Sequence, residues 1–253
     1  MKPGARSFAV AAVQATALYA WGCVPGGAAP GAASPGGFES GTLPLAVHWV
    51  RSSAEHRAVF VQVYRDAAEH VREVEVGLPD GRWGVILDAD ETVLDNSTYQ
   101  RRLADRGESF SNDTWNAWVR EEAATAQPGA PGFIELVRSL GGRVAIVTNR
   151  DEEVCDATRR NLAALSIAVD VVLCQQPGER GKGGRFRAVQ EGTAAAGIPP
   201  LEVVAWLGDN IQDFPGLSQD VRDAPESALD LFGLRYFLLP NPMYGSWERN
   251  PVR

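Results

Sequence analysis

Short apolar runs recur along this chain, and each is followed by a polar cluster. Val85-Ile86-Leu87 runs into Asp88-Ala89-Asp90-Glu91-Thr92. Val144-Ala145-Ile146-Val147 runs into Thr148-Asn149-Arg150. Val169 to Leu173 is followed by the basic loop Gly181-Lys182-Gly183-Gly184-Arg185. Val203 to Leu207 runs into Gly208-Asp209-Asn210, with Asp213 close behind, and Phe237-Leu238-Leu239 stops at Pro240. Runs this short, flanked by turn residues, predict buried strands. Helical segments separate them. Leu45 to Val74 places Phe60, Tyr64, Ala67, Ala68, Val71 and Val74 on one stripe, as a helix packed on a core does. Asp151 to Leu165 and Phe186 to Ala196 are predicted helices as well. Strands alternating with helices predict an α/β fold, a Rossmann-like three-layer arrangement around a parallel sheet.

Parallel strands put their carboxyl ends on one edge of the sheet, where open α/β folds bind ligands. The polar clusters can therefore converge although they lie far apart in sequence. A lone Asp-x-Asp is most simply an acidic turn. Two neighbouring carboxylates repel, however, unless a cation or a shared proton relieves them. Asp88 and Asp90 thus point to metal or proton chemistry at the end of the first strand.

The chain has 253 residues, of which 45% are hydrophobic, which suits one α/β domain with an insertion. The net charge of −8 argues against a nucleic-acid polymer as partner. A small anionic substrate remains compatible, because local charge decides its binding. Lys2, Arg6 and the apolar stretch from Phe8 to Trp21 read as an export signal, too short for a membrane span. The expected organisation is a signal peptide over 1–22, a flexible Gly/Ala/Pro tether over 23–40 and a catalytic domain over 41–253. Ala20-Trp21-Gly22-Cys23 resembles a lipobox, with Trp21 as its departure. Cys23 is the candidate lipidation site, and the alternative is simple secretion to the periplasm. An acylated Cys23 would place the protein on the outer membrane by its lipid anchor alone. Cys155 and Cys174 remain. An exported protein can pair them, but two buried free thiols are the expectation.

A polar, helical insertion is expected over about 95–131, after the first strand. There it would sit above the active edge as a small cap. Trp115 and Trp118 lie three apart, on one helical face. Trp118 is expected to anchor the cap to the core. Tyr99, Trp115 and Tyr244 are the candidates for a substrate-facing wall, since aromatic faces stack on bases.

Asp-x-Asp-x-Thr, a strand ending in Thr148, Lys182, and Gly208-Asp209-x-x-x-Asp213 together resemble the haloacid dehalogenase superfamily. Asp95-Asn96-Ser97, Trp115-Asn116-Ala117-Trp118-Val119 and the Leu239 to Glu248 segment narrow the resemblance. Together they are similar to the class C acid phosphatases, the bacterial lipoprotein acid phosphatase and 5′-nucleotidase group. The likeness covers about residues 43–250. It implies a Mg²⁺-dependent acid phosphatase acting on small phosphate monoesters, with 5′-nucleotides as candidates. Asp88 becomes the candidate nucleophile, forming an aspartyl-phosphate, and Asp90 the candidate general acid and base. Thr148, Asn149 and Lys182 are candidate phosphate ligands. Mg²⁺ would take carboxylates from Asp88 and Asp209 and, by resemblance, the Asp90 backbone carbonyl, with Asn210 or Asp213 in support. Arg150 and Arg185 are left between contacting phosphate and pairing with an acid. A phosphotransferase on the same fold and a ligand-binding surface lipoprotein are the rivals.

Overall fold

The structure is a computed structural model that describes residues 43–252. The signal segment, the tether and Cys23 lie outside the described residues. The expected first helix is two: α1 (Leu45–Ser52) and α2 (Ala54–Val74). Ser53 separates them in an extended conformation, and its side chain accepts from the His56 amide at 3.0 Å. That caps α2 and satisfies a donor that the helix cannot. Next come β1 (Trp83–Leu87), β2 (Leu94–Asp95), α3 (Ser97–Arg106), α4 (Asn112–Arg120), β3 (Thr125–Ala126) and α5 (Ala130–Ser139). Then β4 (Arg143–Asp151), α6 (Cys155–Ala164), β5 (Val171–Gln175), α7 (Gly183–Glu191), β6 (Glu202–Gly208) and β7 (Tyr236–Leu238) complete the elements. The third long strand begins two residues later than its apolar run. α7 starts at Gly183, directly after Lys182, and stops at Gly192 in the left-handed region (φ 72°), a common helix ending.

Five strands form one parallel sheet in the order β5-β4-β1-β6-β7. β1 is central and fully buried, which is why it reads as an apolar run rather than an alternation. Its side chains still alternate between faces. Val85 and Leu87 join the core made with α2, α5 and α6, and Ile86 joins the one with Phe186 and Val189 of α7. The chain runs from β1 outward through β4 to β5, then crosses back to β6 beside β1. The switch point of the sheet therefore lies between β1 and β6, where such sheets bind ligands.

The insertion after β1 closes on itself. β2 and β3 pair antiparallel, Leu94 with Ala126 and Asp95 with Thr125, and hold α3 and α4 between them. α4 carries a capping box, with Ser111 and Thr114 bonding reciprocally. Trp118 is buried, as its anchoring role requires, and its indole Nε1 donates to Asn96 Oδ1 at 2.8 Å.

The free-thiol expectation for Cys155 and Cys174 is corrected: the two form a disulfide, with Cα atoms 5.9 Å apart. Cys155 opens α6 and Cys174 lies on β5. α6 packs back onto β5, and that packing brings the two together. Burial and pairing are not alternatives here, since both residues are buried in the core.

Candidate active site

Asp88 leaves β1 with its amide donating to the Leu207 carbonyl of β6 at 3.0 Å. This seats it at the switch point. Its Oδ1 is 2.7 Å from Lys182 Nζ. The same ammonium is 2.7 Å from Asp213 Oδ1. Lys182 and Asp213 are each 4% exposed, so the lysine is no solvated loop residue. Asp213 approaches the sheet closely, and a Cβ on Gly208 would collide with its side chain. Glycine is required there for that reason. Asp213 Oδ2 also accepts from the Asn210 amide at 2.9 Å.

Asp209 follows β6. Its Oδ2 accepts from Asn241 Nδ2 at 2.8 Å and its Oδ1 from Thr92 Oγ1 at 3.5 Å. Asn210 Oδ1 accepts from the Gln212 amide at 3.1 Å and from Ser246 Oγ at 2.8 Å. The segment after β7 thus packs against the acidic cluster. Thr92 and Asn241 belong to the site although no role was assigned to either from sequence. Asn241 lies in the Leu239 to Glu248 stretch that carries the family resemblance, which was its available signal.

The charge balance is uneven. Burial pushes the Asp88 carboxyl up to about 7; Lys182 opposes this, while Asp213 and Asp90 reinforce it. Burial lowers Lys182, but Asp213 and Asp88 outweigh it and the ammonium ends above its ordinary value. Asp209 is raised well above the carboxylate range by burial, then by Asp213 and Asp88. Oxygens of Asp88, Asp209 and Asp213 lie within 4.8 Å of one another. Three carboxylates around one ammonium leave excess negative charge. An all-oxygen donor set of this kind fits a hard divalent cation such as Mg²⁺. Asp213, expected in a supporting place, belongs to this cluster itself.

Asp90 faces another way. Arg150 Nε donates to its Oδ1 at 2.9 Å and Oδ2 at 3.2 Å, and Arg150 Nη2 to Oδ1 at 2.7 Å. Asn96 Nδ2 adds a bond to Oδ1 at 2.9 Å, and Thr148 Oγ1 approaches Oδ2 at 3.5 Å. The Asp90 carboxylate is therefore outside the acidic cluster. Arg150, 1% exposed, pairs with an acid. Arg185 pairs with Glu179 at 2.9 Å. It also donates to the Thr148 carbonyl, to Asn149 Oδ1 at 3.0 Å and to the Gly181 carbonyl at 3.0 Å. It ties the end of β4 to the lysine loop. Both arginines are ion-paired in the structure, Arg150 with Asp90 and Arg185 with Glu179.

A cavity of about 710 Å³ opens over these groups, lined by Asp88, Asp90, Phe110, Trp115, Asn149 and Tyr244 among others. Trp115 and Tyr244 stand where the wall was expected. The Tyr244 hydroxyl is buried without a partner among the described residues. Tyr99 does not stand there. It is 4% exposed, packed against Trp115 and Trp118, and its hydroxyl bonds Thr114 Oγ1 at 2.9 Å. Its place one turn into α3 turns it to the cap interior, and Phe110 lines the cavity instead. A larger cavity of about 920 Å³ runs along β5 beside α6 and α7. It contains none of the converging acids, so the smaller one is the site.

Comparison with known proteins agrees with the fold. Residues 43–247 match the family model described as HAD superfamily, subfamily IIIB (Acid phosphatase). The class C acid phosphatase from Bacillus anthracis is similar in structure, with a TM-score of 0.73 and 29% identity. The match covers 81% of this chain and 85% of that one, and that structure has tungstate bound. A second structure of the Bacillus anthracis enzyme also gives a TM-score of 0.73, at 28% identity over the same shares. Acid phosphatase 1 of Solanum lycopersicum is 27% identical over 191 residues. That stretch is 72% of this chain and 66% of the tomato protein's length.

Proposed function

For this chain, which belongs to the HAD superfamily subfamily IIIB acid phosphatases, a family of phosphoric monoester hydrolases, we propose Mg²⁺-dependent hydrolysis through an aspartyl-phosphate. The observation that carries this reading is the cluster at the switch point. Asp88 stands there within 2.7 Å of a buried lysine and beside two further carboxylates. A carboxylate nucleophile divides a slow displacement at phosphorus into two faster ones. An Asp88 oxygen attacks phosphorus, and the bond to the leaving oxygen breaks. Asp90 gives its proton to that alkoxide. Asp90 then takes a proton from water, which attacks the aspartyl-phosphate, and inorganic phosphate departs with Asp88 restored. Lys182 neutralises charge on the phosphoryl oxygens, and Thr148 with Asn149 offers hydrogen bonds to them. Asp88, Asp209 and Asp213 would hold Mg²⁺, which when bound neutralises the repulsion between carboxylate and phosphate. Tungstate, an oxyanion of phosphate-like shape, on the Bacillus anthracis relative supports a phosphate seat here.

The substrate is a small phosphomonoester. Phe110, Trp115 and Tyr244 around the cavity favour a substrate that carries an aromatic ring, with 5′-nucleotides as the candidate class. Phosphate release is measured from several 5′-nucleotides, a sugar phosphate and nitrophenyl phosphate, each with Mg²⁺ and with chelator. Metal-dependent release, fastest from nucleotides, is expected. Release that chelation leaves unchanged removes the metal from the mechanism. Transfer of phosphate to added glycerol would instead favour a phosphotransferase. The amino-terminal signal and Cys23 suggest an exported, lipid-anchored enzyme; labelling with a radioactive fatty acid, lost in Cys23→Ser, tests it.

A further inference from the structure

Asn96 is fully buried, and both ends of its side chain are in use. Its Oδ1 accepts from Trp118 Nε1 at 2.8 Å and from Arg150 Nη2 at 3.2 Å. Its Nδ2 donates to Asp90 Oδ1 at 2.9 Å. Its backbone amide donates to Glu91 Oε1 at 2.8 Å. Two donors meet one end of the amide and a carboxylate meets the other. A flipped amide would set its NH₂ against two N–H donors and its oxygen against a carboxylate. The orientation is therefore determined by its partners.

We propose that Asn96 is a positioning residue: it aims the Asp90 carboxylate and couples that aim to the seating of the cap helix α4 through Trp118. The inference rests on the reading of Asp90 as general acid and base. The two oxygens of Asp90 are not equivalent. Oδ1 takes three short bonds, two from Arg150 and one from Asn96, at 2.9, 2.7 and 2.9 Å. Among the described residues, Oδ2 has only Arg150 Nε at 3.2 Å and Thr148 Oγ1 at 3.5 Å. Oδ1 is the anchored oxygen and Oδ2 the one free to carry the proton. Arg150 leans to Oδ1 with its two shorter bonds but still reaches Oδ2 through Nε at 3.2 Å. Asn96 bonds Oδ1 alone of the two oxygens and so completes the difference between them. Arg150, on β4, is itself held by Thr158 Oγ1 of α6 at 3.1 Å, so on one side the anchor rests on the sheet and the helix packed on it. On the other side it hangs on Trp118, a cap residue. The cap thereby reaches the proton-transferring group without touching substrate.

The test separates proton transfer from stability. Turnover is compared for an alkyl phosphate, a poor leaving group, and nitrophenyl phosphate, a good one. Variants Asn96→Ala, Trp118→Phe, Asp90→Asn and Asn96→Ala with Asp90→Asn are assayed with Mg²⁺, beside their melting midpoints. Trp118→Phe removes the indole donor but keeps a buried ring, so it reports even if Asn96→Ala does not fold. Expected is an about tenfold loss of kcat on the alkyl ester and under about twofold on nitrophenyl phosphate. Tenfold is a fraction of the roughly 10²- to 10⁴-fold a general acid contributes. In the Asp90→Asn background, Asn96→Ala should add nothing further to that discrimination. Equal losses on both esters, or effects that simply multiply, would show a structural role only and overturn the proposal. Full alkyl-ester turnover in Trp118→Phe would overturn the link to the cap. If Asp90→Asn itself fails to discriminate, the general-acid reading falls first and takes this inference with it.

Discussion

As the proposed nucleophile, Asp88 carries two opposed demands: it must be ionised to attack phosphorus, and it is buried among acids. Replacing it with Asn removes the nucleophile and also the buried charge. Asp88→Asn is therefore expected to lose turnover by on the order of 10⁴-fold or more, while its metal-free melting midpoint at neutral pH stays level or rises. Normal turnover in a quenched-flow or steady-state assay would end the nucleophile assignment. Lys182 gives the opposite pattern. It sits 2.7 Å from both Asp88 and Asp213, so Lys182→Met leaves two buried carboxylates without their ammonium. Breaking a buried pair from one side costs about 3–5 kcal/mol. Denaturant unfolding of the metal-free variant should show a loss of that size, along with lost activity. Asp88, Asp90 and Asp209 were legible in sequence because each directly follows an apolar run, and Lys182 through the family resemblance of its loop. The partners of Arg150 and Arg185 were not, because an arginine's reach spans several alternatives until neighbouring strands are in place.

Among the elements, strands and helices followed the apolar pattern closely, since burial on both faces of a parallel sheet leaves little freedom in composition. The exceptions were local. Ser53 splits an apolar stripe that runs on without a break, because a capping side chain outweighs continuity of the stripe. Tyr99 fell on the wrong side of α3, because the face of a short helix turns on how its cap closes. The link between Cys155 and Cys174 depends on α6 folding back over β5. Their 19-residue separation implies about 3 kcal/mol of stabilisation from loop closure. Cys155→Ala with Cys174→Ala, or reduction of the native protein, should lower unfolding free energy by roughly that amount. Indifference of the melting midpoint to reductant would argue against the bond. The loop from Asp151 to Val154 lies between this link and the cap. Asn116 of α4 donates to Asp151 Oδ2 and Glu153 Oε1, each at 2.8 Å, so the same double variant should also loosen the cap, read as faster amide exchange in α4.

At the scale of the molecule, the acidic cluster links folding to pH and, on the proposed reading, to Mg²⁺. Asp88 ordinarily titrates near 3.8 and is raised to about 7 in the metal-free fold. The folded chain then holds a proton that the unfolded chain releases across that window. Its contribution to stability is full below about pH 4 and is lost as pH rises through about 7. Asp209 is raised in the same direction. The melting midpoint of metal-free protein should therefore fall between about pH 5 and about pH 8, and the fall should shrink in Asp88→Asn. Because the cation needs deprotonated ligands, the rise in midpoint on adding Mg²⁺ should be larger at the upper end of that range. A Mg²⁺ shift independent of pH would count against these carboxylates as ligands. The sequence by itself determined the α/β alternation, the order of the strands along the chain and the acids that end them, because burial periodicity and reaction chemistry act on residue types directly. Only the tertiary structure decided that Asp213 joins Asp88 and Asp209, that Arg150 and Asn96 hold Asp90, that Phe110 rather than Tyr99 faces the cavity, and that two cysteines pair. Each of these is a contact between segments distant in sequence, and their geometry exists only once the sheet is assembled and the cap has closed over it.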